Sequence, residues 1–159
     1  VLAVAAACSG GGQPSSADSP GAPTSASTTV TKAPLTADAV MAVLATAGAT
    51  SPLPATAEND ENHMLGRPGG YTDRVAFELP GGDPAAKVGA IERGGGFEIW
   101  PDATGAKRRL DYIQGVLSAT PMLGTEYDYL AGPVLVRVTG NVTPANAKKI
   151  EDAVKGLPQ

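Results

Sequence analysis

The chain has 159 residues, 42% of them apolar, and a formal net charge of −4. A single cysteine excludes an intrachain disulfide and a cysteine-based zinc site, and a single histidine means that any Ser-His-Asp triad would have to use His63. The acidic balance leaves no general basic footprint for nucleic acid, and nothing after residue 8 has the length and apolarity of a membrane span.

The apolar share is shallow. Alanine supplies 27 of those residues, while Val, Leu, Ile and Phe together number 31, close to the composition of disordered chains. The shortage is concentrated at the front, where residues 1–34 carry only two charges, Asp18 and Lys32, and no aromatic residue. Three parts are therefore expected: residues 1–8, residues 9–34, and a single folded domain over residues 35–159.

Residues 1–7 are small and apolar, and Cys8 follows them directly. This reads as the remnant of a signal peptide whose basic start lies upstream. Ala5-Ala6-Ala7-Cys8 resembles a bacterial lipobox, although Ala5 stands where leucine is usual. The expected modification is a diacylglyceryl thioether on Cys8, whose two acyl chains anchor stably where one binds only marginally. Residues 9–34 are rich in Ser, Thr, Gly, Ala and Pro and nearly uncharged, the composition of a disordered tether. The expected location is the extracellular face of a bacterial plasma membrane.

From Leu35 onward helical and strand periods emerge. Thr36 is a suitable N-cap, Leu35 can staple onto Val40, and Val40, Val43, Leu44 and Ala47 form one face of a first helix that Gly48 can end. Residues 50–70 read as a long polar loop. From Thr72 the period becomes two, with Val75, Phe77 and Leu79 on one side. Residues 87–93 and 97–100 flank Gly94-Gly95-Gly96 and read as a hairpin. Ala106, Leu110, Ile113 and Leu117 predict a helix over 104–119, and Val134, Val136 and Val138 predict a last strand. Thr143-Pro144 opens a final helix with Ala147, Ile150, Val154 and Leu157 inward. The expected fold class is α+β: a two-layer sandwich with a mostly antiparallel sheet of about four strands and helices packed on one face.

Two segments carry the candidate binding residues. The loop 60–71 combines acids, an amide, the histidine, an arginine and turn glycines, and offers Asp60, Asn62, His63, Arg67 and Tyr71. Glu126-Tyr127-Asp128-Tyr129 offers Glu126, Tyr127 and Tyr129, either as a surface or as an edge segment with its tyrosines packed inward. Neither segment has the ligand spacing of a calcium loop or a histidine metal site, so no metal and no cofactor is expected. Lys107-Arg108-Arg109 reads as a solvated helix face, and Trp100 as a core anchor. No nucleophile elbow, P-loop or dinucleotide-binding glycine pattern occurs.

The strings 62–71 (Asn-His-Met-Leu-Gly-Arg-Pro-Gly-Gly-Tyr) and 123–130 (Leu-Gly-Thr-Glu-Tyr-Asp-Tyr-Leu) resemble those of small uncharacterised secreted lipoproteins of actinobacteria. The resemblance implies the same location as the front end and brings no catalytic roles with it. The leading expectation is thus a non-enzymatic module that binds an envelope protein or a small ligand outside the membrane. Its alternative is a small cell-wall hydrolase with Asp60, His63 or Glu126 as acid–base groups, which requires them to converge in one concave pocket. A purely structural domain is the third expectation.

Overall fold

The structure, a computed structural model, describes residues 35–158, so the expectations for the leader remnant, Cys8 and the tether lie outside the described residues. In chain order the elements are α1 (Ala37–Thr46), β1 (Thr50–Pro54), β2 (Asp73–Glu78), β3 (Gly94–Ile99), α2 (Ala103–Ala119), β4 (Glu126–Ala131), β5 (Val134–Thr139) and α3 (Pro144–Lys155). Short 3₁₀ turns at Ile91–Arg93 and Pro121–Leu123 precede β3 and β4. The five strands form one antiparallel sheet in the order β1-β2-β3-β5-β4. This is the α+β architecture that the strand and helix periods imply.

The helix ends follow their local chemistry. Thr36 accepts from the Ala39 amide at 3.2 Å, Asp102 accepts from the Gly105 amide at 2.7 Å, and Thr143 caps α3 with Pro144 in its first turn. β4 and β5 are joined through Gly132 and Pro133, where Gly132 holds a φ of 53°.

Alternation along the strands divides the core in two. Val75, Phe77, Phe97, Ile99, Val134, Val136 and Val138 point to one face and meet Val40 and Leu44 of α1 and Ala147, Ile150 and Val154 of α3. Leu135 points to the other face and packs with Tyr71, Trp100 and the Ala106 and Ile113 stripe of α2. The single helix-bearing face expected from the sequence therefore holds for α1 and α3, while α2 and the loop 60–71 cover the opposite face. The reason is the long, two-sided burial of β5, which a helix on one face alone would leave exposed.

Two segments differ from their sequence reading. Residues 50–54 lie within the expected loop but form the edge strand β1, whose Pro52 and Pro54 are tolerated because an edge need not donate on both sides. Gly94, Gly95 and Gly96 are not a hairpin turn but the buried first half of β3, paired with Glu78, Phe77 and Ala76, and 87–93 is turn and 3₁₀ rather than strand. A Cβ on Gly95 would lie 2.8 Å from the Phe77 ring and also meet the Arg137 carbonyl, so glycine here makes room for the aromatic ring across the strand.

Candidate functional site

The second face of the sheet carries an unusual load of charge. Arg74 and Glu78 on β2, Glu98 on β3, Arg137 on β5, and Glu126 and Asp128 on β4 all alternate away from the main core. Glu98 is 2% exposed. It accepts from the Trp100 indole at 3.2 Å and from Nε of Arg109 at 3.3 Å. Arg137 grips Glu126 through two bonds of 2.8 and 2.7 Å. That clamp, despite the burial that opposes it, raises the already high pKa of the guanidinium. Burial, joined by the neighbouring Glu126, pushes the Asp128 carboxyl up to about 6, and its buried Oδ1 has no hydrogen-bond partner.

The loop 60–71 is held from inside. Asp60, 2% exposed, accepts from the Tyr71 hydroxyl, from the Met64 amide at 2.8 Å and from the Leu65 amide at 2.9 Å. Burial alone would raise its pKa, but these donors outweigh it and hold the carboxyl below the usual range. Tyr71 is fully buried, packs edge-on to Trp100 with ring centroids 5.8 Å apart, and its hydroxyl is pushed above the usual phenol range, first by burial and then by Asp60. Asn62 reaches the same hydroxyl at 3.4 Å. The turn at 64–70 closes by Arg67 N to Met64 O (3.2 Å) and Gly70 N to Arg67 O (2.9 Å), and its middle, residues 66–69, is exposed, which leaves Arg67 at the surface.

Cavities lie on either side of this loop. One, of about 470 Å³, is lined by Glu58, Asp60, Glu61, His63, Arg74 and Lys87, with Lys87 paired to Glu61 across it. His63 is exposed there with a φ of 51°. The other, of about 520 Å³, opens between the loop and α2 and is lined by Asn62, Met64, Gly69, Trp100, Gly105, Arg108, Arg109 and Tyr112. The Arg109 guanidinium sits 5.8 Å from the centroid of the Tyr112 ring.

The structure thus sorts the candidates. Asp60 and Tyr71 are anchors of the loop, Asn62 reaches one cavity and His63 the other, and the Arg67 side chain has no hydrogen-bond or ion-pair partner among the described residues. Glu126 is spent on Arg137. Tyr127 packs on the main core, and Tyr129 packs there too while donating to the Ala147 carbonyl at 3.1 Å. The Tyr129 phenol is pushed up to about 12, first by burial and then by Glu151. These tyrosines fit the inward-packed edge reading of 126–129.

The two segments do not converge. Glu126 pairs with Thr139 at the end of the sheet where Glu78 meets Gly94, whereas Tyr71 precedes the end where Asp73 meets Ile99. Strands of this length separate those ends by roughly 15–20 Å. Asp60, His63 and Glu126 therefore do not share a pocket.

The residues the sequence reading missed are Glu98, Arg109 and Tyr112. The solvated helix face assigned to Lys107-Arg108-Arg109 is corrected at Arg109, whose side chain is 10% exposed because Glu98 draws it inward. Lys107 does pair at the surface, with Asp111 at 2.8 Å. Among the described residues, no group of three or more His, Cys, Asp and Glu side chains could hold a metal ion, and no helix is long and apolar enough to cross a membrane. Neither a family model, a curated protein nor a solved structure matches the chain.

Proposed function

We propose that this chain is a binding module of the bacterial cell envelope, held at the outer face of the plasma membrane by a lipid on Cys8, and that its ligand occupies the cleft between residues 62–69 and α2. The observation that carries the site is preorganisation. Both walls of the cleft are fixed by buried carboxylates, Asp60 behind the loop and Glu98 behind Arg109, so the cleft exists before any ligand arrives. Its volume of about 520 Å³ falls in the range of small-molecule sites. A rigid, preformed cleft lowers the ordering cost of association.

A binding role is favoured over hydrolysis because the candidate acids Asp60 and Glu126 are occupied. Asp60 has three donors that hold its carboxyl below the usual range, and both oxygens of Glu126 are taken by the Arg137 guanidinium, so neither is placed to pass a proton to a substrate. The location reading is supported by the small-residue run before Cys8 and the tether composition behind it.

Two experiments test the two halves. An alkyne fatty acid fed to cells that make the full-length protein should label the wild-type chain and not Cys8→Ser; equal labelling of both, or of neither, rejects the anchor. A fragment survey by amide-detected NMR should give shifts that cluster at Asn62, Met64, Gly69 and Tyr112. Shifts that cluster instead at Glu58, His63 and Lys87, or a silent spectrum, reject the cleft.

A further inference from the structure

Resting on the cleft just described, we propose that its ligand is an organic anion: a phosphate or carboxylate head carried on a flat or apolar body. The chain is acidic, with 16 Asp and Glu against 12 Lys and Arg, yet no carboxylate lines this cleft and two guanidinium groups do. The cavity on the other side of the loop shows the contrast, since its cations Arg74 and Lys87 face Glu58, Asp60 and Glu61.

The state of the arginines sharpens the point; Arg67, on its exposed turn, lines neither cavity. Arg93 is taken by Glu78 and Arg137 by Glu126, and Arg74 donates to the Gly89 carbonyl at 3.2 Å. The Arg108 side chain makes neither hydrogen bond nor ion pair among the described residues, although it stands in the cleft. Arg109 spends Nε on Glu98, and its two Nη groups have no acceptor among the described residues. Neither Nη is sealed from solvent, since the orphaned buried side-chain polar atom of the described residues is Asp128 Oδ1. The side chain is 90% covered and lines the cleft, and its Nη groups are the donors left without a protein acceptor among the described residues. A fork held at Nε by a buried carboxylate and laid on an aromatic ring is preorganised for the paired oxygens of a carboxylate or phosphate.

The body of the ligand has its own surface. Tyr112 is 64% exposed beside Arg109, and Met64 lines the opposite wall, so a flat or aliphatic group is covered by a ring and a thioether. Asn62 adds an amide at the rim.

The test uses the full chain, whose one tryptophan, Trp100, lines the cleft and reports by fluorescence, with amide shifts as a second readout. Phenyl phosphate, benzoate, inorganic phosphate and benzyl alcohol are titrated at one ionic strength. At least one aryl anion should saturate and bind ten-fold or more tightly than benzyl alcohol. Phenyl phosphate ahead of benzoate assigns a phosphate head, and the reverse order assigns a carboxylate. Arg108→Gln, a surface change that should leave the melting temperature unmoved, should weaken the better anion at least ten-fold. Tyr112→Ala should weaken the aryl anions while leaving inorganic phosphate as it was. Benzyl alcohol binding as tightly as the anions, or Arg108→Gln binding like wild type, overturns the anion assignment while the cleft stands. Failure of all four probes overturns it as well, and the fragment survey then decides whether the binding reading falls with it.

Discussion

Asp60 concentrates the most chemistry in one side chain. One carboxylate with three donors closes the loop 60–71, and its Oδ2 takes two successive amides. Asp60→Asn removes the charge and sets an amide NH₂ against one of those donors. We expect a loss of about 2 kcal/mol, the scale of a hydrogen bond to a charged group, measured by urea denaturation. Tyr71→Phe removes the facing hydroxyl, and because both changes break one bond, the double variant should cost less than the sum of the singles. Composition marked 60–71 as the unusual loop, since acids, amide, histidine and glycines stand together there. Which of them turns inward was not legible, because the decision depends on Tyr71 and Trp100, the latter brought up by a different strand.

At the scale of elements, caps and periods were readable because they depend on neighbours in sequence. Thr36, Thr143 and Pro144 are where the helix starts were expected. Asp102 plays the same part for α2, and Asp102→Ala should destabilise the domain by about 1 kcal/mol in the same denaturation assay. The sheet was less legible. β1 is masked by its prolines, and the three glycines of β3 look like a turn until Phe77 is placed across from Gly95. Gly95→Ala forces a methyl into that ring and a backbone carbonyl, and a loss of about 2 kcal/mol is expected from overpacking. Equal stability of wild type and variant would show that β2 and β3 shift apart freely.

For the molecule as a whole, two buried carboxyls, Asp60 in the loop and Asp128 on β4, bear on the response to pH in opposite senses. Asp60 lies below its ordinary pKa, so its stabilisation is present above about pH 4 and fades as acid protonates it. Asp128 works in the opposite sense. Its carboxyl is pushed up to about 6 in the fold but titrates near 4 when unfolded, so the native state binds the extra proton between those values and stability falls as pH rises through them. Asp128 therefore adds a decline in stability between about pH 4 and pH 6, which thermal melts from pH 3 to pH 8 would locate. Asp128→Asn should flatten the decline and gain on the order of 1 kcal/mol at pH 7, after allowance for solvent screening. A melt profile with the decline unchanged in this variant would assign it to another group.

The sequence by itself determined the α+β class, the helix starts and the apolar faces. Each of those rests on local period, capping or composition, which a chain carries without folding. Tertiary structure alone decided that α2 crosses to the second face, that Glu98 pulls Arg109 out of solvent, and that Asp60 and Glu126 lie at opposite ends of the sheet. Those facts depend on which strands become neighbours, and β5 inserting between β3 and β4 is a pairing that no local pattern encodes. The weakly apolar composition has the same resolution: a sheet buried on both faces makes one domain out of few large side chains, and the charge it had to cover became the wall of a cleft.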